Sequence, residues 1–321
     1  MENKSTIKPH SLAAWFAFMR PKTFWIAAIP VLVGSALSYA MLNKFNFWIF
    51  ILTLAGAVGI QALSNMQNDY GYNKRKAERG NRTGLPRATT EGWISMRAGR
   101  MMIASVALIC CLLIVPLIVI GGWQILLIAV LSLLCAYFYM AGPLPISYTP
   151  FGEVLVLVFY GWLAVGGTFW LQTHSFDLMV LTTGTSVGLF GALVMFVNNF
   201  RDIEHDISVG RKTFPALIGI SKGQWIYTIS IFLPFVIIGW CVPLNEQYWP
   251  LLLILLALPR ASFLPKEFKV AKGLQFNNVM FKTVKIEFLF GLLLTVSLIV
   301  VGYLQWNFTG LLEHLFANPF L

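Results

Sequence analysis

Nine stretches of mostly apolar residues follow one another along this 321-residue chain. Each is close to the roughly 20 helical residues that a hydrocarbon core about 30 Å thick demands. They cover residues 23–42, 47–67, 101–120, 124–139, 154–171, 178–197, 224–242, 248–264 and 284–305. Lipid offers no partner to an unpaired backbone N–H or C=O, so each crossing segment must satisfy its own hydrogen bonds, as a helix does. The expectation is an all-α membrane protein, a bundle of nine transmembrane helices. Composition agrees, because 58% hydrophobic against 11% charged residues and a mean hydropathy of +0.74 leave too little charge to clothe a soluble domain.

Lysine and arginine are retained on the cytoplasmic side of a membrane. With a cytoplasmic amino terminus and nine spans, the inner segments are 1–22, 71–100, 141–153, 201–222 and 259–285. They hold 22 of the 23 basic residues, and Lys44 alone falls outside. A multi-pass protein of the cell membrane follows, with its amino terminus and its basic loops in the cytoplasm. The net charge of +10 is therefore a matter of topology and not a nucleic-acid footprint, and no nucleic-acid partner is expected. The density of charge in 71–100 exceeds what orientation needs and leaves room for an anionic ligand or anionic lipid. No cleavable secretory signal is read at the start, where 1–8 is polar and Arg20 and Lys22 follow. Residues 11–19, with Leu12, Trp15, Phe16 and Met19, suit a short amphipathic helix on the membrane surface or an extension of the first span.

Ionisable groups are costly at membrane depth and at helix mouths, and they are kept there for a function. Two patches close long apolar runs and lead into basic loops: Asn65-Met66-Gln67-Asn68-Asp69 and Asn198-Asn199-Phe200-Arg201-Asp202. With Glu78, Glu204 and Asp206 they hold five of the thirteen acids. Asp202 and Asp206, four residues apart, stack on one helical face with about 6 Å of rise between them, a spacing that lets two carboxylates share cations. Such hard oxygen donors suit Mg²⁺, which keeps several waters and completes its shell from substrate phosphates. Asn65 precedes Asp69 by four and Asn198 precedes Asp202 by four, so the site reads as two half-sites. Around them stand Lys74, Arg75, Lys76, Arg79, Arg82 and Arg87, then Arg201, Arg211 and Lys212. Arginine can grip phosphate oxygens with a planar fork, although positive-inside bias alone would also fill such loops. Cys110, Cys111, Cys135 and Cys241 lie in apolar runs without metal-ligand spacing, and the histidines form no zinc pattern.

These residues resemble the UbiA superfamily of intramembrane aromatic prenyltransferases, in its 1,4-dihydroxy-2-naphthoate polyprenyltransferase branch of menaquinone synthesis. The resemblance runs nearly end to end, as one prenyltransferase domain over 1–321 whose active-site loops are 71–100 and 201–222. It rests on Arg20-Pro21-Lys22-Thr23, on Asn65-x-x-Asn68-Asp69-Tyr70 continuing to Arg82-x-Gly84-x-x-Arg87 and Gly92, and on Tyr139-x-x-Gly142-Pro143-x-Pro145-Ile146-Ser147-Tyr148 with Gly152-Glu153. It continues through Gly167-Thr168, Gln172-Thr173, Asn198-Asn199-x-Arg201-Asp202-x-x-x-Asp206, Gly210-Arg211-Lys212-Thr213, and Gly273 with Asn277 and Thr283. The second metal motif and the Gly-Pro segment are the specific signals. One departure stands out: Tyr72 occupies the position of the first motif's second acid, and Glu78 stands where a later aspartate is expected.

The resemblance implies a lipid-open central cavity and Mg²⁺-dependent transfer of a polyprenyl group from polyprenyl diphosphate to 1,4-dihydroxy-2-naphthoate with loss of carbon dioxide. It implies Asp69, Glu78, Asp202 and Asp206 as metal ligands. Asn65, Asn68, Arg82, Arg87, Asn198, Arg201 and Lys212 would bind diphosphate. Tyr139 would face the developing allylic cation, and Arg20, Glu153, Gln172 and Asn277 would contact the acceptor. Two other readings stay open: a prenyltransferase with another aromatic or lipid acceptor, which Tyr72 favours, and a non-catalytic transporter or lipid-binding protein. Transport acids usually lie near the membrane midplane, whereas these lie at helix ends.

Overall fold

The computed structural model describes residues 7–76, 86–143 and 145–316, with backbone alone beyond residue 307. Every regular element among the described residues is helical. The order is α1 (Leu12–Met19), α2 (Phe24–Leu42), α3 (Phe47–Lys74), α4 (Met96–Phe138), α5 (Gly152–Thr173), α6 (Leu178–Arg201), α7 (Ile203–Ser208), α8 (Phe214–Cys241), α9 (Glu246–Val270) and α10 (Gln275–Phe316).

Among the described residues, eight helical stretches are long and apolar enough to cross a membrane, one fewer than expected. The difference lies in α4, where the spans read at 101–120 and 124–139 join into one element of 43 residues. Straight, it would run about 65 Å, twice the hydrocarbon thickness. It does not run straight: Gly122 takes φ 72°, and Cys110 and Ile114 pack in one cluster with Ala129. The helix therefore doubles back on itself at the Gly121-Gly122 pair with no polar loop between its legs.

Local chemistry sets the helix ends. Asn46 Oδ1 accepts from the amides of Trp48 and Ile49 at the start of α3, and Asp177 Oδ1 accepts from that of Met179 at the start of α6. Arg20, at φ 57°, ends α1, and Pro21 opens the turn into α2, so α1 is no extension of the first span. Neither does α1 lie on the surface alone. It buries Ala14 and Phe18 against Met66 of α3 and against Ala88 and Ile94 of the following loop.

The main core joins α2, α6, α8, α9 and α10 around aromatic rings, with Tyr227 and Phe268 stacked at 4.0 Å and Phe190 set between Phe235 and Phe290. On the other side, α2, α3, both legs of α4, α5 and α6 enclose a cavity of about 910 Å³.

Candidate active site

The last turns of α3 and α6 line one end of this cavity with Asn65, Asn68, Asn198 and Arg201, joined by Arg20 and Lys22 from the turn before α2. Earlier turns of the same helices, with α4 and α5, line the remainder with apolar side chains such as Ile60, Ile114, Ile128, Leu155 and Val194. A polar mouth thus opens into an apolar interior.

Arg201 organises the second patch. Its Nε and Nη2 donate to the Asp202 carboxylate at 2.8 and 2.7 Å, Nη2 also donates to Asn198 Oδ1 at 2.9 Å, and Nη1 donates to Asn277 Oδ1 at 2.5 Å. Asn198, Arg201, Asp202 and Asn277 are therefore one cluster, with Asn277 delivered from α10. One turn on, the amide of Asp206 donates to the Asp202 carbonyl at 2.7 Å, which holds both acids on the α6–α7 corner. Asp206 is sealed from solvent and accepts from Arg211 Nη1 at 2.6 Å and Thr213 Oγ1 at 3.3 Å. Burial pushes its carboxyl above the ordinary range; Arg211 beside it acts the other way, and Asp202 adds to the rise.

The cation on Asp206 is thus Arg211, not Lys212. Lys212 uses its backbone amide on the Tyr148 carbonyl and exposes its side chain.

The first patch is arranged differently. Asp69 is buried, and its oxygens accept from the amides of Ala88 and Thr89 at 2.9 and 3.0 Å and from the Thr89 hydroxyl at 2.6 Å. Arg20 Nη2 stands 4.0 Å away. Asp69, like Asp202 and Asp206, stands outside the cavity lining itself, and these bonds pin the loop that carries Arg87. Asn65 donates to the Met19 carbonyl and to Thr23 Oγ1, tying α3 to the turn between α1 and α2. Asn68 Oδ1 is buried without a hydrogen-bond partner. Glu78, Arg79 and Arg82 lie outside the described residues.

Tyr72 connects the two halves. Its buried ring carries the Arg87 guanidinium at 3.6 Å on one side and lies 5.4 Å from that of Arg211. Cation–π contact takes the place of the ion pairs a carboxylate would make there. Tyr139, half-buried, lines the cavity beside this group. Glu153 is buried, with Oε1 accepting from Asn199 Nδ2 at 2.9 Å and Oε2 without a partner.

Gln172 is placed elsewhere, which corrects its expected contact with the acceptor. Its amide closes on the backbone of Asn46 at 2.7 and 3.1 Å, before the start of α3. Asp69 lies more than twenty residues further along that helix, about 34 Å away along the axis. Its work is to clamp the α2–α3 loop.

Among the described residues no three His, Cys, Asp or Glu side chains come together as a metal cage. Hard oxygen donors stand at Asp202 and Asp206 on the α6–α7 corner and at Asn68 Oδ1 in the cavity mouth. Hard carboxylate and amide oxygens of this kind suit Mg²⁺.

The UbiA prenyltransferase family model matches residues 27–271, about three quarters of the chain. The chain belongs to the UbiA prenyltransferase family. It is similar to a 1,4-dihydroxy-2-naphthoate octaprenyltransferase of Haemophilus influenzae, 32% identical over 238 residues that make up 72% of this chain and 77% of that protein. A 2-carboxy-1,4-naphthoquinone phytyltransferase of Synechocystis is 25% identical over 313 residues, 92% of this chain and 98% of that one. In fold it is similar to a UbiA homologue from Archaeoglobus fulgidus solved bound to DMAPP and Mg²⁺, with a TM-score of 0.64 at 12% identity, covering 89% of this chain and 98% of that chain. The UbiA match contains both acidic patches, the Tyr72 stack and Arg211. α10, which supplies Asn277, lies beyond it.

Proposed function

We propose that this protein transfers a polyprenyl group from a polyprenyl diphosphate to 1,4-dihydroxy-2-naphthoate, with loss of carbon dioxide, in a Mg²⁺-dependent reaction at the cytoplasmic end of a multi-pass bundle in the cell membrane. The observation that carries this reading is the cavity, in which a mouth of amide and guanidinium groups adjoins a long apolar interior, matching the two halves of a polyprenyl diphosphate. The naphthoate and naphthoquinone relatives support the acceptor, and the Archaeoglobus structure supports the donor class and the ion. The one-sided distribution of basic residues supports the orientation. Exposed cations such as Lys74, Lys212 and Lys222 suit anionic membrane lipid at that face.

Asp202 and Asp206 would hold the ion, with Asn68 Oδ1 as a further donor. Bound there, Mg²⁺ would neutralise charge on the departing diphosphate. Arg201 uses four of its five N–H groups in the hydrogen bonds described and keeps one on Nη1 for a phosphate oxygen. Arg20 and Lys22 add positive charge at the mouth. As the bond between the allylic carbon and diphosphate lengthens, the Tyr139 ring offers a π face to the growing positive charge, and the apolar lining keeps water from capturing it. The ring carbon that bears the carboxylate then forms the new bond.

Purified protein in detergent with Mg²⁺, a polyprenyl diphosphate and dihydroxynaphthoate is expected to give a prenylated, decarboxylated product by mass spectrometry. A chelator should abolish turnover and added Mg²⁺ restore it. Diphosphate release only with another aromatic compound would overturn the acceptor, and no release with any acceptor would overturn catalysis.

A further inference from the structure

Gln61 lies seven residues before Asn68 on α3, and Gly191 lies seven before Asn198 on α6. Gln61 therefore sits about 10 Å further into the bundle than Asn68 and about 6 Å further than Asn65, and Gly191 about 10 Å further than Asn198. At this level the polar wall of the mouth continues inward. The Tyr160 hydroxyl donates to Gln61 Oε1, and Gln61 Nε2 donates to Thr23 Oγ1 at 3.2 Å; all three residues line the cavity. Tyr160 stands in a π-helical stretch of α5, Leu157–Leu163, a widened geometry that recurs at functional sites.

Glu287 of α10 stands behind Gly191. It is only 2% exposed, and its Oε2 meets no hydrogen-bond partner. A Cβ on Gly191 would lie 3.8 Å from Glu287 Oε1 and 3.1 Å from Val156 Cγ1, so the missing side chain leaves the carboxyl next to the cavity lining. A carboxyl left without a partner inside a membrane bundle is costly, and a ligand that hydrogen-bonds to it removes the cost.

We propose that Glu287, with Tyr160 and Gln61, forms the subsite that receives a hydroxyl of the aromatic acceptor, whose ring lies between this level and the diphosphate mouth. The proposal rests on the prenyltransferase reading and deepens it by giving the acceptor a place. The Glu287 carboxyl accepts the hydroxyl hydrogen, and Tyr160 and Gln61 form the polar wall beside it. An acceptor lacking that hydroxyl leaves the carboxyl unpaired and is discriminated against.

The test measures binding of 1,4-dihydroxy-2-naphthoate to the full-length protein in detergent by calorimetry, beside KM for naphthoate and for polyprenyl diphosphate. Wild type is compared with Glu287→Leu, Glu287→Gln and Gly191→Ala. Glu287→Leu is expected to weaken naphthoate binding and raise its KM tenfold or more, with the diphosphate KM unchanged and the melting temperature not lowered. Glu287→Gln, which keeps an acceptor oxygen, should lose less, and Gly191→Ala, which puts a methyl group between carboxyl and cavity, should raise the naphthoate KM with Glu287 still present. If Glu287→Leu melts higher yet binds naphthoate as wild type does, the carboxyl is structural and the subsite is overturned while the prenyltransferase reading stands. If wild type binds no naphthoate, both fall. Should Glu287→Leu fail to fold, unchanged naphthoate KM values in the other two variants overturn the subsite.

Discussion

Arg211 holds Asp206 at 2.6 Å with both side chains shut away from solvent, whereas Lys212, the next residue, is exposed. Removing one partner of a buried pair leaves the other charge uncompensated, a loss of about 3–5 kcal/mol, while an exposed lysine contributes within about 0.5 kcal/mol. Arg211→Ala is therefore expected to lower the melting temperature sharply and to abolish prenyl transfer, and Lys212→Ala to change neither beyond a small rise in KM for diphosphate. Thermal unfolding in detergent together with turnover checks both, and the reverse order would place the working cation one residue later. The Arg-Lys pair was legible as a cation source from its neighbourhood. Which of the two points inward was not, because that depends on the Ser147 carbonyl, brought from a distant part of the chain, accepting from the Arg211 guanidinium. Tyr72 has the same character. It reads as a missing carboxylate until Arg87 and Arg211 are seen against its ring.

α5 and α6 meet through glycine. A Cβ at Gly188 would lie 2.6 Å from the Leu157 carbonyl oxygen and 2.9 Å from the Gly161 Cα, and both are backbone atoms that cannot rotate away. Such close approach is how membrane helices gain packing where lipid supplies no hydrophobic drive between them. It also sets the path of the π-helical stretch that carries Tyr160 into the cavity wall. Gly188→Ala is expected to cost about 1–3 kcal/mol through overpacking and to lower activity with it. Gly239→Ala, whose added methyl meets nothing within 4 Å, should leave the melting temperature level or slightly raised. Equal effects in the two variants would remove the glycine contact as the cause. The helices were legible because each apolar run had to satisfy its own backbone. Their contacts were harder to read, since the close approach at Gly188 depends on backbone spacing that leaves no mark on hydropathy.

At the scale of the molecule, exposed tryptophans Trp48, Trp123, Trp240 and Trp249 ring the end of the bundle opposite the acidic patches, as aromatic side chains do where a membrane meets water. Lys44 lies at that same end, and the amides and arginines of the mouth lie at the other, so the cavity runs along the bundle and its depth can limit the tail it admits. Gly56 lines that space twelve residues before Asn68, about 18 Å deeper. A Cβ there would find one neighbour, Ile114 Cγ1 at 3.9 Å, so a larger side chain has room to enter without displacing backbone. Gly56→Phe should therefore block the interior while leaving the mouth untouched. The expected outcome is retained turnover with geranyl diphosphate and at least a tenfold loss with an octaprenyl donor, read as product length by mass spectrometry from a mixture of donors. An unchanged product distribution would mean that the isoprenoid tail leaves the cavity above Gly56, between helices and into lipid, and that the deep apolar space is not what measures chain length.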